Sequence, residues 1–158
     1  MRQVVGISEM KISRDPEDTI ITHALGSCVG VAIFDPVACV GGILHYMLPM
    51  SSIDPEKAAK NPYMFGDTGI PAFFQAAYKA GAKKEFLRVS MAGGARVIET
   101  DNRFDIGSRN VVIARKLFWK NAVLIASEDV EGTIPRTMFL EMKTGHCWYT
   151  SRGETHEL

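Results

Sequence analysis

Cysteine is scarce in this chain of 158 residues: there are three, Cys28, Cys39 and Cys147, and no two stand in C-x-x-C spacing. An odd count without that spacing excludes a disulfide framework and a zinc knuckle, and it predicts free thiols in a reducing compartment. An excess of charge is missing too. Eighteen Lys and Arg balance eighteen Asp and Glu, so no global field draws the protein to nucleic acid or an anionic membrane, and partners are recognised through local surface. No apolar run approaches the roughly 18 residues of a membrane-crossing helix. The opening MRQVVGISEMK lacks the long apolar core of a secretory signal. These absences predict a cytoplasmic protein, with neither metal nor cofactor expected. No repeat, low-complexity segment or linker divides the chain, so it reads as a single domain, 1–158, able to bury about two-thirds of its unfolded surface.

What is present concentrates between Ile20 and Pro49. Two apolar, β-branched runs, Val29 to Phe34 and Val40 to Met47, flank Asp35-Pro36-Val37-Ala38. Asp bonds its own backbone and Pro presets φ, which suits a turn, so the runs predict a hairpin. Pairing Phe34 with Cys39 across a four-residue turn sets Val29 opposite Leu44 and Cys28 opposite His45. Opposed residues share a face with Cβ atoms about 4.5–5.5 Å apart, which brings a thiol within reach of an imidazole. A bulge at Gly41-Gly42 would shift that register and send His45 to the other face.

A thiol beside an imidazole is the minimum equipment for cysteine nucleophilic catalysis. Gly26 and Ser27, directly before Cys28, let a substrate approach the backbone and leave N–H groups to face a developing oxyanion. The competing reading is packing, because free Cys is among the most buried residue types. A metal site from Cys28, Cys39 and His45 is disfavoured, since Cys39 lies too far along the strands.

Elsewhere the pattern predicts a strand over Gln3 to Ile12, a turn at Arg14 to Asp18 and a short strand Thr19 to Thr22. Strand alternation points His23 away from Thr22, as a structural or solvent-facing residue, and it stands as a rival imidazole. A turn-rich loop follows Pro49, with one helical turn at Glu56 to Lys60; it is either a substrate-contacting segment or a plain connection. Asp67 or Thr68 caps a helix to Lys79, with Pro71 in its first turn, Gly81 as its stop, and a core-facing stripe of Ile70, Phe73, Phe74, Ala77 and Tyr78. Phe86 to Met91 reads as a buried strand. Gly93 and Gly94 lack the Lys and Ser/Thr of a phosphate loop and read as a tight turn walling a substrate groove. Ser108 is the predicted cap of a helix to about Asn121. Strands Ala122 to Ala126, Arg136 to Met142 and Cys147 to Tyr149 follow, then a polar tail from Ser151. Two main helices among many strands predict an α+β fold, with helices on one side of a mixed sheet or sandwich.

The strings LGSCVGVAIFDP, HYMLP, MAGGA and DIGSRN, in this order and spacing, resemble the CheD family of chemoreceptor glutamine deamidases, from about Val4 to the Trp148 region. The resemblance implies an α/β/β layered sandwich similar to certain bacterial toxin deamidases. It places the family's nucleophile on Cys28, its His on His45, and on Thr22 a Thr thought to complete the catalytic site, with Gly26, Ser27, Gly93 and Gly94 around the substrate. It implies glutamines, and also glutamyl methyl esters, on the cytoplasmic helices of methyl-accepting chemotaxis receptors as substrates. A CheC-type phosphatase of CheY is the implied partner. Arg109 and Asn110 match the IG-x-RN string and stand as site neighbours. His23, Glu131-Gly132 and Pro135 depart from the family pattern. An adaptor that stimulates the phosphatase, with Cys28 vestigial or used for docking, and a general thiol hydrolase or transglutaminase remain alternatives.

Overall fold

The structure, a computed structural model, describes residues 1–97 and 105–158. Among the described residues ten strands form two five-stranded mixed sheets, and the two long helices lie against one of them. The strands are β1 (Arg2–Val5), β2 (Glu9–Ser13), β3 (Thr19–Leu25), β4 (Val29–Asp35), β5 (Val40–Tyr46), β6 (Arg88–Gly93), β7 (Ile125–Val130), β8 (Arg136–Glu141), β9 (Cys147–Ser151) and β10 (Glu154–Glu157). The helices are α1 (Pro55–Lys60), α2 (Gly66–Lys79) and α3 (Ile106–Lys120). One sheet runs β2-β5-β4-β6-β7, the other β1-β3-β8-β9-β10.

Burial of β4 on both faces explains the near-continuous apolar sequence of that strand. Val29, Val31 and Ile33 point to α2 and α3, in a cluster with Ile70, Phe73, Phe74, Val111 and Phe118. The alternate residues Ala32 and Phe34 point into the space between the sheets, against Ile20, Leu25, Met138 and Leu140. A strand flanked by two apolar layers has no solvent face to mark with polar residues. Helices, first sheet and second sheet therefore stack as the expected α/β/β sandwich.

Several sequence expectations are corrected. The hairpin is closed by Asp35 opposite Val40, not by Phe34 opposite Cys39. Asp35 accepts from the Val37 and Ala38 N–H groups and Cys39 takes φ +53, so the loop is Pro36 to Cys39 and the ladder slides by two residues. The stretch Gln3 to Ile12 is two strands in different sheets, separated by a turn in which Ser8 takes φ +60. The N-cap of α2 is Phe65; Asp67 instead accepts from the Ser51 N–H and hydroxyl, and Pro71 lies in the second turn. The N-cap of α3 is Asp105, whose carboxylate accepts from Ser108 N–H.

The polar C-terminal stretch is β10, paired with β9 through Arg152-Gly153, both at positive φ. That is the backbone of a type I′ hairpin turn.

Candidate functional site

The end of the β4–β5 ladder is where the candidate residues gather. Its last pair is Val29 with Tyr46, and Gly30 stands opposite His45. The slip of two residues preserves parity, so Cys28 and His45 keep the same face as diagonal neighbours, with Cβ atoms somewhat under about 7–8 Å apart. There is no bulge at Gly41-Gly42. Cys28 is half-buried against the inter-sheet cluster, whereas His45 is fully buried.

His45 reaches across to the second sheet. Its Nδ1 lies 2.7 Å from Thr22 Oγ1, on β3, and the same hydroxyl donates to the Val5 carbonyl at 2.8 Å. A hydroxyl has one proton, and a carbonyl can only accept. The Thr22 proton is thus committed to Val5, and His45 Nδ1 must carry the proton of the 2.7 Å bond. The lone pair is left on Nε2, which is buried and has no hydrogen-bond partner among the described residues. Burial pushes the imidazole pKa down to about 4, so the ring is neutral near pH 7. Burial raises the Cys28 thiol, opposed in part by its own backbone N–H. The resting pair is a neutral thiol and a neutral base, not a thiolate–imidazolium pair.

The loop bearing Cys28 is anchored by three successive carbonyls. Gly26 C=O accepts from Ala95 N–H at 2.8 Å, Ser27 C=O from Asn110 Nδ2 at 2.9 Å, and Cys28 C=O from Gly94 N–H at 2.9 Å. Among the described residues the N–H groups of Ser27 and Cys28 have no other residue as acceptor. A loop held by its carbonyls in this way leaves those donors available to an incoming anion.

Gly93 and Gly94 form the tight turn behind this loop, at φ +105 and +64. A Cβ on Gly93 would lie 2.3 Å from Cys28 O, and one on Gly94 2.4 Å from Val111 Cγ2. Only glycine combines these φ values with such close approach. With its N–H given to Cys28, Gly94 has none for a phosphate. Gly107 of α3 is as tightly placed, its Cβ position 2.5 Å from Ala95 O. Arg136 braces the turn from β8: its buried guanidinium pairs with Asp129 at 2.7 Å and donates to Glu131 C=O at 3.0 Å.

Gly26 and Ser27 line a cavity of about 330 Å³ with Arg96, Asp105, Gly107 and Pro135. Gly93, Gly94, Cys28 and His45 do not line it. His23 is exposed, as alternation predicts, and Arg109 is exposed beside Pro49, Met50 and Ile53. Cys39 sits in the turn at the far end of the hairpin, and burial pushes the Cys147 thiol up to about 12. Among the described residues no three His, Cys, Asp or Glu converge as a metal set.

Sequence reasoning underweighted Asn110. Its Nδ2 donates to Ser27 C=O and, at 2.8 Å, to Met47 C=O, and its own carbonyl accepts from Tyr46 Oη at 2.5 Å. The available signal was an Asn inside an amphipathic helix, where an amide is unfavourable unless its hydrogen bonds are used.

Taken together, this is a three-layered α/β/β domain with a thiol loop, an oriented neutral imidazole and a hydroxyl at one end of its central hairpin. The sequence profile described as CheD chemotactic sensory transduction matches residues 47–151. The chain is 50% identical over 150 residues, 95% of its length and 94% of the relative's, to the probable chemoreceptor glutamine deamidase CheD 1 of Syntrophus aciditrophicus (strain SB). It is 44% identical to the probable chemoreceptor glutamine deamidase CheD of Solibacter usitatus (strain Ellin6076), covering 98% and 92%. Identity to the probable chemoreceptor glutamine deamidase CheD 2 of Anaeromyxobacter dehalogenans (strain 2CP-C) is 40%, covering 98% and 97%. The chain belongs to the CheD family.

Proposed function

We propose that this protein is a chemoreceptor glutamine deamidase that converts receptor glutamine side chains to glutamate through a thioester on Cys28. Family membership gives the reaction class. The observation that carries the mechanism is the fixed tautomer of His45, whose free Nε2 lone pair lies on the same sheet face as Cys28.

In the first half-reaction Nε2 takes the thiol proton as sulfur attacks the amide carbon, and the C–S bond forms. The N–H groups of Ser27 and Cys28 hold the oxyanion. His45 then returns the proton to the amide nitrogen, the C–N bond breaks and ammonia leaves. In the second, His45 deprotonates a water that attacks the thioester, the C–S bond breaks, and the thiol is restored beside a new glutamate. A glutamyl methyl ester follows the same course with methanol as leaving group. Thr22 holds the imidazole; Gly93 and Gly94 shape the loop from behind, while Gly26 and Ser27 face the substrate cavity.

The substrate is a glutamine on the cytoplasmic helices of a methyl-accepting chemotaxis receptor, and the protein acts in the cytoplasm. No helix among the described residues is long and apolar enough to cross a membrane. Each conversion adds one negative charge to a helix bundle, which shifts its packing equilibrium. A CheC-type phosphatase of CheY is the proposed partner. Ammonia release from a receptor cytoplasmic fragment tests the reading: Cys28→Ala abolishes it. If the protein is instead an adaptor, wild type releases no ammonia, and Cys28→Ala keeps phosphatase binding and stimulation intact.

A further inference from the structure

We infer that Asn110 is the positioning residue that sets the separation between the nucleophile loop and the imidazole strand, an inference that rests on the deamidase reading of the Cys28 site. The β4–β5 ladder ends at Val29 and Tyr46, so pairing between these two strands does not reach Ser27 or Met47, and Met47 N–H donates instead to Met64 C=O. Ser27 lies two residues before β4, next to Cys28, and Met47 lies one residue after β5, the strand that carries His45. The Asn110 amide spans the gap, giving one N–H to Ser27 C=O at 2.9 Å and the other to Met47 C=O at 2.8 Å. A single planar NH₂ group thereby ties the residue before Cys28 to the residue two beyond His45.

The chemistry of the bridge is specific. It requires two donors on one atom, which an ionised Asp lacks and an isosteric Leu lacks. Gln keeps the donors but carries them one methylene further from the helix. The side chain is itself held in place. Asn110 is fully buried on α3, its backbone carbonyl accepts from Tyr46 Oη, and Gly107, one turn earlier, seats the helix against the glycine turn. Its Oδ1 is buried with no partner among the described residues. Such a group costs stability, a cost set against the two bonds that its NH₂ makes to the Ser27 and Met47 carbonyls. The amide is retained for what its NH₂ holds.

The test compares wild type with Asn110→Asp, Asn110→Ala and Asn110→Gln, with Tyr46→Phe as a variant that loosens the same helix carbonyl while keeping the ring. Two readouts are taken on folded protein. The first is kcat and KM for deamidation of a receptor fragment; the second is the rate of iodoacetamide alkylation at Cys28, located by peptide mass spectrometry, with His45→Gln defining the part that depends on the imidazole. The expected result is a kcat lowered by about a hundredfold in Asn110→Asp and Asn110→Ala with KM little changed. Gln restores part of the loss, Tyr46→Phe shows a smaller kcat loss, and Cys28 alkylation in the Asp and Ala variants falls to the His45→Gln rate. The inference is overturned if the folded variants, Tyr46→Phe included, keep wild-type kcat and alkylation, or if His45→Gln alkylates like wild type. Failure of the deamidase reading looks different: wild type releases no ammonia, while the alkylation comparison still reports the bridge.

Discussion

Thr22 Oγ1 stands 2.7 Å from His45 Nδ1 and 2.8 Å from the Val5 carbonyl, and this pair of distances dictates which nitrogen of the imidazole is basic. The two residues come from different sheets, so the packing of the sandwich itself sets the tautomer. Replacing Thr22 by Val keeps the shape and removes the acceptor. Thr22→Val should cost about 1–3 kcal/mol of stability, because a buried N–H loses its partner. It should also lower kcat more than it raises KM, with Thr22→Ser recovering most of the loss. Steady-state kinetics and urea melts check both.

Burial of a neutral His45 makes stability depend on pH. The folded pKa is about 4 and the unfolded one about 6.5, so between them the unfolded chain binds the extra proton. The stability associated with this group is complete above about pH 6.5 and is lost as pH falls toward 4, up to about 3 kcal/mol. Urea midpoints at pH 7.5 and 4.5 should fall further apart for wild type than for His45→Gln. Asp35 titrates in both proteins and cancels; burial raises its pKa, but N–H bonds from Ala38, Lys83 and Val37 outweigh this and lower it. Parallel pH profiles for the two proteins would contradict a buried neutral imidazole. For the same reason the acid limb of kcat/KM should lie well below the ordinary histidine range.

The glycine turn should be intolerant of a single methyl. Gly93→Ala places a Cβ 2.3 Å from Cys28 O at φ +105, so the chain must move either the turn or the nucleophile loop. We expect a loss of at least about 2 kcal/mol in a urea melt, together with lost activity in the fraction that folds. Gly153→Ala is the control for φ alone, since nothing lies within 4 Å of its Cβ position.

Much of this arrangement was legible in the sequence. The parity of the hairpin came from its four-residue turn, and moving that turn one residue along slides the ladder by two, so the shared face of Cys28 and His45 survived an incorrect register. What misled was Cys39, which takes a left-handed conformation that side chains rarely adopt and so joins the turn. The cap of α3 was misplaced because Asp105 and Ser108 are both cap formers three residues apart. Strand β10 was missed because an edge strand of Glu, Thr, His and Glu has no buried face to show alternation. Asn110 is more than sixty positions from either residue it bridges, and its hydrogen bonds are not encoded by hydrophobic periodicity.

The central claim is that Cys28 attacks a glutamine side chain on a receptor helix. Its most direct test is the mass of a receptor cytoplasmic fragment after incubation with wild type and with Cys28→Ala. The account predicts a gain of roughly one dalton at defined glutamines with wild type and none with the variant. An unchanged fragment in both, or an equal gain in both, would contradict it.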